Sequence, residues 1–449
     1  MWVVLLVALV LAVSYWAMIM YQGYIFPRKV KAIRELIDSQ RYAEAKAAVD
    51  KLPASQRDDP MAKWLLAQAN IAEGQYILAM VALQDILKRR RYTADLKEYQ
   101  IHEGLAYCYE KTGRLKESIL ELQFAVHLKP DHFDSLYTLG KLYFEQRNYQ
   151  IAESYLSRAI KINSRNPHIY FLLGTIAAAQ KDIKRGIDMF TMCTVLDPNF
   201  YKAHKELGRL YYDLKDFVRA QKNFTIAKAN AECYRESIIY EGLSLFGMHE
   251  FEGASEVLKE ALATIPENDR FYLTVLESLA ECYLKLRNVN EVRIIWESIL
   301  KVSPIHPEAK GRMALFRHIF NSNRLASFFS LPDEKYEMFV RRFLEQHEFY
   351  VEALEVRSGD EIIVQCQKNK MGQMKFAFIL LFTRKPKQIS VEEELRELFI
   401  LIKNRHATQA YVITPFDFHE ECFQFITSRP VELITGERFA AALDGEDIF

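Results

Sequence analysis

Most signatures that would announce an enzyme are missing from this chain. It has no glycine-rich phosphate cradle, no H-E-x-x-H and no Gly-x-Ser-x-Gly, which removes the common sequence routes to nucleotide binding, zinc peptidase and serine hydrolase chemistry. The eleven histidines do not cluster. The six cysteines (Cys108, Cys193, Cys233, Cys282, Cys366, Cys422) are scattered without a C-x-x-C pair, so neither a disulfide framework nor a zinc site is read. An excess of one charge is also missing. In 449 residues, 59 basic and 59 acidic side chains cancel, leaving no global field to draw nucleic acid or acidic ligands. A chain this long holds more than one domain.

One local absence is informative. Between Trp2 and Pro27 no side chain is charged, and that run exceeds the roughly 20 apolar residues that span a bilayer. Trp2 stands at one end, and Tyr15, Trp16, Tyr21 and Tyr24 crowd the other half, as interfacial aromatics do. Nothing basic precedes the run and no small-x-small site follows it, which disfavours a cleaved signal peptide. The expectation is an uncleaved transmembrane helix over residues 2–26. Arg28, Lys29, Lys31 and Arg34 follow it, so the positive-inside tendency puts the bulk of the chain in the cytoplasm, at an inner (cytoplasmic) membrane.

From about Gln100 to Pro304 the sequence repeats every 34 residues. Ala106, Gly140, Gly174, Gly208 and Gly242 form one column. Ser118, Ala152, Gly186, Ala220 and Ala254 form a second, and Ala125, Ala159, Cys193, Ala227 and Ala261 a third. Small residues fill about a quarter to a third of an ordinary chain, so fifteen in register are not accidental. Large residues stand between them: Tyr109, Tyr143 and Tyr211, then Leu122, Leu156, Phe190, Phe224 and Leu258. Two antiparallel helices approach closely only where the crossing residues are small, and large neighbours fill the space beside the crossing. Pro130, Pro198, Pro266 and Pro304 stop the second helix of their units. The pattern resembles the tetratricopeptide repeat, a 34-residue helix–turn–helix unit. The resemblance implies an α-solenoid of about seven units, with a four-residue slip before Ala280, Tyr283 and Trp296, weaker units around Lys31–Leu52 and Trp64–Lys88, and a capping helix over Glu308–Phe320.

In that family the first helix of each unit lines a concave face that holds a partner segment. The corresponding positions here are Glu103, Tyr107, Tyr137, Lys141, Phe144, Phe171, Lys205, Arg209 and Tyr212. Aromatics beside cations suit an extended peptide or an acidic tail; the bland alternative is that the rings pack against neighbouring repeats.

After the solenoid (residues 30–320), Asn321-Ser322-Asn323 and Leu331-Pro332-Asp333 mark a linker at 321–334. Over 335–449 strands alternate with helices, which predicts a small α/β sheet. Phe339-Val340-x-x-Phe343-Leu344-Glu345, Ser358-Gly359-Asp360, Ala410-Tyr411-Val412-Ile413-Thr414 and Val431-Glu432-Leu433-Ile434-Thr435-Gly436 together resemble the Mrr-type restriction endonucleases of the PD-(D/E)xK class. That resemblance implies Mg²⁺ held by an aspartate and by a Glu or Gln two residues before a lysine. Here the aspartate position falls at or beside Glu361, the second ligand at Leu381 and the lysine at Thr383. Leucine binds no Mg²⁺ and threonine supplies no cation. Arg384, Lys385 and Lys387 are candidates for a displaced cation, and Val364-Gln365-Cys366-Gln367-Lys368 is a decoy.

The expected fold is therefore mostly α: one transmembrane helix, a repeat solenoid, and a small restriction-endonuclease-like α/β domain with a degenerate site. The expected function is a membrane-anchored scaffold binding a protein or peptide partner, without cofactor. The alternatives are a membrane-tethered Mg²⁺-dependent DNA endonuclease or a DNA-binding module that does not cleave.

Overall fold

The structure, a computed structural model, describes residues 2–20, 26–90, 92–93, 95–370 and 374–446. By its internal contacts the chain divides into two compact units, 1–206 and 207–449.

In the first unit the charge-free stretch forms the helix Trp2–Met20. Its described side chains run from Leu6 to Ala17, and all of them are exposed. Among the described residues no helix is long and apolar enough to cross a membrane; Tyr21 and Tyr24 lie outside them. Helix pairs follow, from Phe26–Asp38 with Tyr42–Asp50 to Pro167–Ala179 with Ile183–Leu196. Further pairs in the second unit end with Tyr272–Lys285 and Val289–Val302. Eight pairs are found among the described residues, where the sequence pattern suggests about seven.

The columns mark helix crossings. A Cβ on Gly140 would lie 2.6 Å from the Leu156 side chain, and one on Gly174 would lie 2.8 Å from Phe190. Each glycine therefore faces the large residue that the register pairs with it. The turn inside each pair is equally regular. Arg147, Lys181, Lys215, His249 and Arg287 all have φ between 54° and 63°, a left-handed conformation that closes a helix. The amide after each of them bonds back across the turn, as from Asn148 N to Tyr143 O at 2.9 Å. The step from His249 to Arg287 is four residues longer than the others, which is the slip read in the sequence.

The second unit continues past the repeats into a five-stranded sheet: β1 Phe349–Ser358, β2 Glu361–Lys370, β3 Met374–Thr383, β4 Gln409–Ile413 and β5 Val431–Ile434. The strands lie in that order; β1–β3 are antiparallel, and β4 and β5 run parallel to β3. Strand alternation gives the sheet two buried faces. Ile363, Ile379 and Leu381 pack under Leu395, Leu398 and Phe418. Ile362, Leu380 and Phe382 face Val340, Phe343 and Phe439, in one continuous core that reaches Trp296 and Ile299 of the last repeat.

That core corrects the expected linker. Residues 321–334 contain the helix Asn323–Phe329, whose Leu325, Phe328 and Phe329 are buried. Phe316 links Trp296 of the last repeat at 5.2 Å to Phe416 beyond β4 at 5.1 Å. Polar turn residues bound this helix, but its apolar residues seat on both sides of the junction.

Candidate functional site

The nuclease-like position is the end of the sheet where β2 begins and β3 stops. Antiparallel register sets Glu361 opposite Thr383 and Ile363 opposite Leu381. Leu381 is 2% exposed within the apolar cluster, so the second-ligand position is part of the core. Glu361 is 7% exposed and its carboxylate forms an ion pair with Lys385. Of the three displaced-cation candidates, Lys385 is the one that meets Glu361. Lys387 instead pairs with Glu394 at 2.8 Å. Glu394, itself buried, also accepts from the Ser390 amide at 3.3 Å; this carboxylate was missed in the sequence because an acid near a helix start normally reads as solvated.

Arg384 points to the opposite face, one residue out of phase with Thr383. It is fully buried. It donates to Asp333 at 2.6 Å, to Leu331 O at 2.5 Å and to Gly359 O at 2.6 Å, and its guanidinium lies 4.2 Å over the Tyr336 ring. Burial, reinforced by Arg287, pulls its pKa down, while burial pushes the Tyr336 phenol well above its ordinary range. Arg287, in the turn of the last repeat pair, reaches the same carboxylates: Asp333 at 2.8 Å and Asp360 at 2.9 Å. Asp360, next to the expected metal ligand, therefore belongs to a structural ion network.

The decoy string lies within β2. Lys368 sits 5.1 Å over the Phe349 ring, and Gln365 and Gln367 donate to Glu352. Among the described residues no group of three or more His, Cys, Asp or Glu gathers as metal ligands would. With leucine at one ligand position and a lysine on the remaining carboxylate, the donor set does not fit Mg²⁺.

On the repeats, the predicted positions divide. Glu103 and Tyr107 line a concavity of about 540 Å³ together with Trp64, Ile71, Glu110 and Asp134, which the sequence reading missed. These come from the first helices of successive pairs, as a concave face requires. Glu103 meets His132 at 2.6 Å and accepts from Ser135 at 2.5 Å; burial raises its pKa. Tyr107 is exposed. Lys141 is drawn to Glu110 at 3.2 Å, and Lys205 lies 3.4 Å from Glu206. Tyr137 stacks on Phe133 at 6.0 Å and Phe144 packs on Tyr149 at 5.8 Å. Phe171 packs between Phe190 at 5.8 Å and Phe200 at 5.1 Å. In the second unit Arg209 is exposed, and Tyr212 packs on Tyr240 at 5.1 Å and Phe217 at 5.6 Å. All five rings thus have aromatic packing partners, Tyr107 through the Tyr76 ring at 6.2 Å, and Lys141 and Lys205 lie beside carboxylates.

Residues 330–443 match the family described as restriction endonuclease, and residues 137–192 match tetratricopeptide repeat. Similar stretches occur in anaphase-promoting complex subunit 3 of Schizosaccharomyces pombe, 22% identical over 139 residues, 31% of this chain and 21% of that protein. The CTR9 homolog of Arabidopsis thaliana is 22% identical over 234 residues, 50% and 21% of the two chains. The chain thus spans about a fifth of the length of these curated relatives. Among solved structures, the C-terminal part of a TPR repeat-containing protein from Cytophaga hutchinsonii is similar at a TM-score of 0.41 and 18% identity, over 63% of this chain and 98% of that one. The chain thus carries a stretch that matches tetratricopeptide repeat and a C-terminal stretch that matches restriction endonuclease.

Proposed function

We propose that this protein is a membrane-anchored scaffold whose repeats hold a protein partner in their concave face, and whose C-terminal domain is a binding module without catalysis. The observation that carries the second part is Leu381, which fills the apolar cluster where the fold's chemistry needs a metal ligand. The Glu361–Lys385 pair adds to it, because a carboxylate neutralised by an ammonium has to lose that partner before it can serve a cation. Anchoring rests on the charge-free helix Trp2–Met20, followed by Arg28, Lys29, Lys31 and Arg34; membrane attachment raises the local concentration of the repeats toward other membrane components.

A displaced-site endonuclease is the second reading, favoured by Lys385 at Glu361 and by the buried Glu394 beside Lys387. The full chain, incubated with Mg²⁺ or Mn²⁺ and with plasmid or linear DNA, separates the two. The scaffold reading expects no cleavage. Cleavage that disappears in both Glu361→Gln and Glu394→Gln overturns it. DNA retention without cleavage, weakening steeply with salt, identifies a DNA-binding module. Alkaline carbonate extraction of membranes tests the anchor: release of the chain into the supernatant refutes it. For the concave face, a photo-crosslinking residue at Tyr107 should capture a partner that one at the exposed Ile77 on the second helix of its pair does not.

A further inference from the structure

The concave pocket of the first unit has a chemistry opposite to the one its nearby cations suggest. Glu103, Glu110 and Asp134 line it, and no lysine or arginine does. Asp134 is exposed and adds to the negative field at Glu103. Of the cations nearby, Lys141 is already drawn to Glu110, His132 meets Glu103, and Lys111 lies 5.3 Å over the Tyr107 ring. The apolar part of the wall is Trp64, Ile71 and Tyr107. In the second unit a concavity of about 390 Å³ is lined by Glu277, Glu281 and Glu308 beside Trp296, with Arg312 and His306 as its cations. His306 meets Glu277 at 2.9 Å, Arg312 lies 3.8 Å from Glu308 and Lys285 3.8 Å from Glu281, so there each carboxylate has a basic neighbour and the first pocket carries the argument alone.

We propose that the pocket between Trp64, Tyr107, Glu110 and Asp134 receives a basic, extended segment of a protein partner. An aliphatic or aromatic side chain of that segment seats against Trp64, Ile71 and Tyr107, and its lysines or arginines face the three carboxylates. The inference rests on the scaffold reading above and names the class of partner. Complementary charge sets partner choice and encounter rate, while aromatic walls supply contact area. Burial raises the Glu103 pKa, and an approaching cation offsets that desolvation cost.

The test uses the full chain in neutral-detergent micelles, with micelles alone as the blank. Three fluorescent dodecapeptides are compared: alternating Arg/Lys with Leu/Phe, the same peptide with Glu/Asp for the basic residues, and the same with Gln. Anisotropy should show the basic peptide binding about tenfold or more tighter than the uncharged one. That advantage should shrink as salt rises from about 50 to about 500 mM. Glu110→Gln with Asp134→Asn, whose fold is checked by circular dichroism, should cost about tenfold for the basic peptide alone. Tyr107→Ala should weaken the basic and uncharged peptides together. The inference is overturned if the acidic or uncharged peptide binds as tightly, or if the double variant binds like the parent. A random dodecapeptide library panned over the chain separates the two levels. Acidic winners overturn the basic-segment inference and leave the scaffold standing; no winners at all overturn both.

Discussion

In the repeats, a small residue on one helix answers a large one on the next: Gly140 to Leu156 and Gly174 to Phe190 in the first unit, Gly242 to Leu258 in the second. In the sheet domain the decisive residues are charged and sit at strand ends, and their partners are chosen by the face of the sheet they occupy. Thr383 and Arg384 are adjacent in sequence, yet Arg384 is locked into carbonyls and carboxylates while the next residue, Lys385, reaches Glu361. Repetition states the same contact several times along the chain, so one misleading residue does little harm. A strand end states its contact once, and a shift of one residue exchanges a core arginine for a candidate site residue.

The largest expected effect would break the comparison at the sheet. Leu381→Glu places an unpartnered carboxylate in the apolar cluster and should destabilise the second unit by more than about 4 kcal/mol near neutral pH. Burial raises that carboxyl's pKa in the folded state, so the loss grows as pH rises through the carboxyl range and eases in acid; urea melts at several pH values read it. Arg384→Ala should cost about 3–5 kcal/mol, because Asp333 and the Leu331 and Gly359 carbonyls lose a shared buried partner. Chemical denaturation at pH 7 measures it, and equal stability would show the network to be dispensable.

The repeats are probed by contrast. Gly140→Ala should cost about 1–3 kcal/mol through the contact with Leu156, despite alanine's better helix propensity. Gly253→Ala meets nothing closer than Leu245 at 3.9 Å and should gain up to about 1 kcal/mol. Equal effects of the two substitutions would mean that the columns record composition and not crossings. The smallest effect concerns the thiols. All six cysteines are buried and free, and burial pushes Cys108 to about 11 and Cys193, Cys282 and Cys366 to about 12. Fewer than about one in a thousand of these four is ionised at pH 8. A thiol reagent should label them only after unfolding; prompt labelling of the native chain would contradict the packing at Cys193.

Several features were legible because they recur or alternate. The helix pairs, their proline stops and the four-residue slip all follow from the columns, and the small sheet follows from strands alternating with helices over 335–449. The helix Asn323–Phe329 was hidden by the polar residues around it, although Leu325, Phe328 and Phe329 have the i, i+3, i+4 spacing of a buried helical face. The aromatic positions of the concave face left two readings open, ligand contact or packing within the array, and Tyr137, Phe144 and Phe171 have rings of neighbouring turns or helices against them. Trp64 and Asp134, which do line the pocket, come from other units of the array and carry no mark in their own.

What the sequence determined by itself was the register of the repeats and the alternation of the sheet, since both are enforced by local sterics: a helix crossing admits only small residues, and a strand turns successive side chains to opposite faces. Only the tertiary structure decided which charges neutralise each other. Glu361 with Lys385, Arg384 with Asp333, and Glu110 with Lys141 are separated by 24, 51 and 31 positions in the chain. Ion pairing depends on distance and burial in three dimensions, and spacing along the sequence encodes neither.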